Sequence, residues 1–354
     1  MTRILIYGSA ALLALAATPA AVRAQVYPER LAITMKARTA VEARAYQRRS
    51  RDDNREEQTE HTTKTVKLGA DGALMLGNIA GDITVTRGGG SEATIEIVKT
   101  ARARTPEEAK EMLALVPVEI TERNGRVEVK TRYPDGDEQR RNNRRNINVS
   151  VAYTVSAPAG THLSVNSISG SIKVTDIKGD ISANSISGDL RLTGAGRISS
   201  AKTISGMVEI TETQADGPVA GSSVSGDVVF RRVTARRIDG SSVSGNIRLD
   251  EVQSDRVSAQ TTSGNASFSG PLARNGRYEL NAFSGEVRVA ITGNIGFEVE
   301  ANSFSGEIRT DLPITTRGGA DRRGRQKTLT GTYGDGAAIL DLTTFSGSIV
   351  ISKR

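Results

Sequence analysis

The chain has 354 residues and a formal net charge of +7, with 37% hydrophobic and 25% charged residues, enough apolar material to core one large or two ordinary domains. It has no cysteine and two histidines, which excludes disulfides, thiolate metal sites and cysteine-borne lipid anchors and leaves zinc poorly served.

Residues 1–24 place Arg3 before an apolar run from Ile4 to Ala17 and end in Val22, Arg23, Ala24. This reads as a secretory signal peptide cut before Gln25, in preference to a retained anchor, because the uncharged stretch is near the lower limit for spanning a bilayer. Without Arg3 and Arg23 the charge falls from +7 to +5. Such an excess suits an anionic envelope polymer or a weak contact with lipid headgroups, and export argues against nucleic acid. The expected location is exported, whether periplasmic, extracellular or on the cell surface. Residues 25–65 include "RAYQRRSRDDNREEQTEHTT" and almost nothing apolar between Val41 and Val66, so they read as a disordered tether.

Residues 66–160 read as a first degenerate coil, "LMLGNIAGDITVTRGGG", followed by a small α+β cap. In "TPEEAKEMLALV", Thr105 is placed as N-cap, Pro106 as the first helical residue and Glu108 as the partner closing a capping box. Ala109, Met112, Leu113 and Val116 then share a helical face. "VEITERNGRVEVKTRYP" predicts a hairpin turning at Asn124 and Gly125. "NINVSVAYTVSAP" adds a strand, after the basic loop "DGDEQRRNNRRN".

From Thr161 a Ser-Gly pair recurs, with glycines at Gly170, Gly188, Gly206, Gly226, Gly245, Gly264, Gly285, Gly306 and Gly347. The intervals are 18, 18, 20, 19, 19, 21, 21 and 41, the last being two periods with an insert. Two before each glycine stand Ile168, Ile186, Ile204, Val224, Val243, Thr262, Phe283, Phe304 and Phe345. Two after it stand Ile172, Leu190, Val208, Val228, Ile247, Ala266, Val287, Ile308 and Ile349, and most positions four after are also apolar. Alternation along a strand puts all three columns on the glycine's own face, which predicts that they point inward and that the serines point out. Further apolar sites fall about seven residues on (Ile177, Val233, Val252) and twelve on (Ile181, Ile198, Ile238, Val257). One period is therefore one coil of two or three short strands. About ten coils stacked ~4.8 Å apart give an all-β solenoid near 50 Å long, with the α+β cap near its N-terminal end and the basic insert at about 312–330 shielding the other.

Nine equivalent serines with at most one nearby histidine, His162, form a ladder rather than a set of nucleophiles; His61 falls in the tether. No catalytic, cofactor or metal residue is assigned. Outward carboxylates (Asp189, Asp227, Glu286, Glu307) sit two residues from outward arginines or lysines, which predicts screened surface pairs. Asn166, Asn184, Asn281 and Asn302 sit four before the glycine, where amides can bond between coils. Two basic clusters, Arg140, Arg141, Arg144, Arg145 and Arg322, Arg323, Arg325, are the candidate contacts for an anionic partner.

"ARTPEEAKEML", "VEVKTRYP", "YTVSAPAGTHLSVNSISGSIKV" and coils of the SISGDL kind together resemble the bacterial "putative adhesin" or toastrack solenoid proteins, a family of unknown function, over residues 66–354. The resemblance implies an envelope location and a single-sheeted, right-handed β-helix, and it brings no catalytic residues. Some relatives look like partners of envelope-stress systems; this chain lacks their retained transmembrane helix.

The expected function is a non-enzymatic adhesion or scaffold module binding an envelope or extracellular polymer or an envelope protein, with end-to-end self-association as a further option. A polysaccharide-active enzyme and a periplasmic accessory of envelope-stress signalling are the alternatives. The enzyme needs two carboxylates across a groove, and with 4% aromatics and no tryptophan the sugar-stacking platforms are scarce.

Overall fold

The computed structural model describes residues 56–134, 147–316 and 327–354. The expected signal peptide, residues 25–55 of the expected tether and both basic clusters lie outside them.

Two long sheets make up nearly all of the described chain. One, here sheet I, holds the strands that lead into each glycine and has 14 strands; sheet II holds the strands that follow and has 13. Two sheets replace the single sheet that the family resemblance implied. Within each, eleven neighbouring strands run parallel, as His162–Ser169 does beside Asp180–Ser187 and Ile172–Thr175 beside Leu190–Thr193.

The Ser-Gly pair is a corner, not the middle of a strand. Strands of sheet I end on the serine, as at Ser169 and Ser187, and strands of sheet II begin two residues past the glycine, at Ile172 and Leu190. The glycine column stacks on itself: a Cβ at Gly188 would lie 2.1 Å from the carbonyl oxygen of Gly170, and one at Gly306 would lie 1.8 Å from that of Gly347. No side chain fits in that space, which is why the pair repeats. A second corner lies six residues past the glycine, where Asp176, Gly194, Glu212, Arg232 and Glu251 adopt φ between 52° and 65°.

Because the chain turns at the glycine, side-chain parity restarts there. The columns two and four after the glycine are buried as expected, from Ile172 and Val174 through Phe230 and Leu249 to Ile349 and Ile351. Ahead of the glycine the expectation is corrected. Ile168, Ile186, Ile204, Val224, Val243, Phe283, Phe304 and Phe345 are 41–57% exposed, and the small residues one position earlier in each strand face inward. From Thr203 onward those hydroxyls find a partner at the corner: Ser223 Oγ donates to Gly206 O at 2.9 Å, Ser242 Oγ to Gly226 O at 3.0 Å and Thr261 Oγ1 to Gly245 O at 2.9 Å, whereas Ser167 and Ser185 are buried without one. Only the serine directly before the glycine points out. Large and small residues interlock inside, Phe230 filling the space left beside Gly221 and Gly240.

Strand order departs from chain order at both ends. Arg126–Thr131 and Val149–Ala157 stack outside Ala73–Ala80 and Ile83–Arg87, so the second arm of the hairpin and the strand after it supply an additional outer rung. Glu92–Ala103 and Glu56–Lys67 then close sheet II antiparallel. Residues 56–65, expected in the tether, form this last strand: it is exposed along most of its length and held by pairing with Glu92–Ala103, which needs no apolar residues of its own. Its Glu56, Glu57, Glu60, Lys64 and Lys67 discourage further pairing at the edge. Helix α1, Pro106–Ala114, packs against both strands through Ala109, Met112 and Leu113. Thr105 accepts from Glu108 N at its N-terminus, and Glu108 accepts from Arg104 N. At the other end, the rung of Ala338–Ser346 with Ile349–Lys353 is inserted between the rung of Arg277–Ser284 and that of Phe297–Ser305, and Lys327–Tyr333 followed by Thr315–Thr316 closes sheet I antiparallel.

Candidate functional site

The outer face of sheet I carries the most unusual surface. At one margin, beside the glycine corner, the exposed side chains two before the glycine form a ridge in the order Ile168, Ile186, Ile204, Val224, Val243, Thr262, Phe283, Phe345, Phe304. Strand pairing fixes one tooth per rung, about 4.8 Å apart. The phenylalanines record that pitch directly: Phe283 and Phe345 stack with centroids 4.9 Å apart, and Phe345 and Phe304 at 4.7 Å. Near-parallel rings spend their faces on one another, leaving edges to solvent, so the row is an apolar strip and not a bed for sugar rings.

Two polar columns border the ridge. On one side are the exposed serines of the Ser-Gly pairs; on the other, four before the glycine, stand Asn166, Asn184, Lys202, Ser222, Ser241, Gln260, Asn281, Thr343 and Asn302. The expected amide bonding between coils occurs at one step, Asn184 Nδ2 to Asn166 Oδ1 at 3.1 Å. Asn281 and Asn302 instead donate within their own strands, to Glu279 and Glu300. Asp341 sits on the rung between those two glutamates. Burial, then the charges of Glu279 and Glu300, push its carboxyl above the ordinary aspartate value, with Arg277 opposing.

At its N-terminal end the ridge enters a cavity of about 690 Å³ whose apolar wall is Ile79, Ile168 and Ile186. Lys130 and Arg132 reach its rim, but each is paired, Lys130 with Glu128 at 2.9 Å and Arg132 with Glu119 at 3.5 Å. The Lys130 ammonium holds Glu128 below the usual carboxylate range. Beneath the rim, Thr131 Oγ1 donates to Asn78 Oδ1, Asn78 Nδ2 donates to Val151 O at 2.7 Å, and the Tyr153 hydroxyl contacts Thr131. Burial pushes that phenol up to about 12. This network ties the outermost parallel rung to its neighbour.

Carboxylates directly after the glycine pair as expected with arginines two residues on, Asp189 with Arg191 and Glu286 with Arg288, both at 2.9 Å. They have a second role that the sequence reading missed. Asp82, Asp189 and Asp227 accept the amide of the next rung, from Ser171 N, Met207 N and Asn246 N at 2.8–3.0 Å, and Asn246 and Asn265 continue the series. The recurrence of Asp or Asn at that one position was the available signal. Such carboxylates are structural acceptors. His61 and His162 are both exposed, on Glu56–Lys67 and at the start of His162–Ser169.

Among solved structures, one described as a putative adhesin from Parabacteroides distasonis is 12% identical with a TM-score of 0.43, covering 83% of this chain and 97% of its own. Another putative adhesin, from Bacteroides fragilis, is 13% identical with a TM-score of 0.41 over the same shares. A putative lipid binding protein from Parabacteroides distasonis is 13% identical with a TM-score of 0.28, again over 83% and 97%. No curated protein matches the sequence. The family model described as Toastrack DUF4097 matches residues 51–352, and the chain belongs to that family.

Proposed function

We propose that this protein is an exported, non-enzymatic docking module of the cell envelope, an adhesin or scaffold that engages other molecules through the ridge on the outer face of sheet I. The observation carrying this reading is the row of eight large apolar side chains held 41–57% exposed over nine consecutive rungs, interrupted only at Thr262. Soluble chains rarely leave a contiguous apolar strip of that length uncovered unless it meets something. The carboxylates with an identified role accept backbone or asparagine amides or pair with arginine or lysine, which suits a rigid scaffold better than a hydrolase. We take the rod to be a right-handed solenoid of about ten regular coils, the sense that parallel strands joined by crossovers adopt almost without exception.

The test is co-sedimentation of purified protein with whole cells, peptidoglycan sacculi and capsular polymer. The triple variant Ile186→Asp, Val224→Asp, Val243→Asp should lose binding at unchanged melting temperature. Binding by the variant equal to that of the parent defeats the reading.

A further inference from the structure

The ridge's partner can be identified from its pitch, its charge and its area; this step builds on the ridge as a docking surface. We propose that the ridge docks onto the ridge of a second copy of this chain, antiparallel, with the two rows of teeth packed rung against rung.

Pitch is the first argument. The teeth recur once per rung, as the 4.9 and 4.7 Å ring separations show. An α-helix offers a tooth about every 5.4 Å, so it drifts half a spacing out of step after about four teeth. An extended peptide presents same-face side chains about 6.6 Å apart and fails sooner. A second solenoid stays in step along the whole row, and identical rows of side chains at this spacing pack as dry, interlocked zippers.

Charge is the second. Across the ridge and its two bordering columns, over nine rungs, the single charged residue is Lys202. Two such strips meet without repulsion, whereas a surface built for anionic lipid would carry a basic border. The direction follows from the next column out, six before the glycine, where Asp239 on the Val243 rung is neutralised by Arg237 of its own strand and Glu279, Asp341 and Glu300 mark the C-terminal rungs. In an antiparallel pair like columns face each other. With the two-fold on the Val243 rung, Phe283, Phe345 and Phe304 meet Ile204, Ile186 and Ile168 of the second copy. The same register brings Lys202, which makes no ion pair among the described residues, toward Glu279 of the other chain, and sets Asp341 and Glu300 opposite Ser182 and Ser164. A parallel pair brings Glu279 toward Glu286 and Glu300 toward Glu307.

Area is the third. Eight side chains about half exposed offer roughly 600 Å², and the bordering serines and amides supply the rest of the ~800 Å² that each partner gives to a standard interface. Association end to end is opposed instead by the charged strand Glu56–Lys67 at one end and the three-residue edge Ile308–Thr310 at the other. An antiparallel pair places the two Glu56–Lys67 strands at opposite ends, as a bridge between two surfaces requires.

Sedimentation equilibrium of the full chain reads the outcome. A dimer is expected. Val243→Asp should weaken it at least tenfold without lowering the melting temperature, and Lys202→Glu and Glu279→Lys should each weaken it while the double charge reversal restores it. A monomer at every concentration overturns the proposal, as does a dimer indifferent to Val243→Asp or a double reversal that fails to rescue. A monomer that inserts its ridge into phosphatidylcholine vesicles also overturns it. If the monomer still sediments with cells through the ridge, the pairing fails while the docking role stands; if that binding is absent as well, both fail.

Discussion

Replacing Gly226 with alanine tests the corner directly. The added Cβ would stand 2.0 Å from the carbonyl oxygen of Gly206 on the adjoining rung, with a carbonyl carbon at 2.6 Å. An ordinary carbon–oxygen contact is about 3.3–3.6 Å, so the two rungs must part by more than an ångström at that point. Three hydrogen bonds join the two rungs at that corner, Gly206 N to Ser225 O at 3.3 Å, Val208 N to Asp227 O at 3.0 Å and Ser223 Oγ to Gly206 O at 2.9 Å, and Gly226 N to Ser244 O at 3.1 Å holds the shifted residue to the rung beyond. At about 0.5–1.5 kcal/mol net for each bond, loss of most of them costs about 3 kcal/mol. Gly217→Ala is the control, because its Cβ would meet nothing closer than Arg197 Nε at 3.5 Å, the movable end of an exposed side chain. Urea denaturation followed by circular dichroism should separate the two variants, with hydrogen exchange showing the loss centred on residues 206–245. If Gly226→Ala falls within about 1 kcal/mol of Gly217→Ala, the stacked-glycine account of the repeat is wrong.

Tyr278→Phe should cost about 1–3 kcal/mol in the same assay, since the buried hydroxyl donates to Ser254 O at 2.8 Å and accepts from Ala273 N at 2.7 Å, and both groups would lose their partner. Glu251→Gly should raise stability by about 0.5–1 kcal/mol, because Glu251 holds φ of 55° at the second corner, where a side chain is strained. Asp341→Asn bears on pH. The folded carboxyl lies above its ordinary value of 3.8, so the folded state holds the proton more tightly than the unfolded chain. Its stabilising contribution is fully present below pH 3.8 and is lost as pH rises through the folded value. The variant should therefore gain on the parent in denaturation midpoint between pH 4 and 7; an unchanged difference would remove the carboxylate row as a source of strain.

The period near twenty, the buried columns after the glycine and the capped helix at Thr105 were all legible, because each depends on local spacing. The ridge was misassigned by a single assumption. Parity was carried through the glycine as though the strand were continuous, yet the strand ends at the serine and the next begins two residues on. The break in continuity shows in Ser167, Ser185, Ser223, Ser242 and Ser303, small residues held at one position while the following residue stays large. The strand Glu56–Lys67 was unreadable for a different reason: its order comes from a partner about forty residues away, and a ladder of backbone bonds leaves no apolar signature. The exchanged rung order at the two ends is likewise a property of which surfaces meet, which no periodicity encodes.

Because Ala338–Ser346 and Ile349–Lys353 lie between earlier-made neighbours, this late rung works as a keystone. During synthesis, Phe297–Ser305 emerges well before the piece that must sit between it and Arg277–Ser284, so assembly of that end has to wait with a vacant slot or reopen to admit the latecomer. Cutting the chain short by a few dozen residues would therefore not shave the tip off the rod; it would pull a course out of the masonry and leave the last storey unsupported.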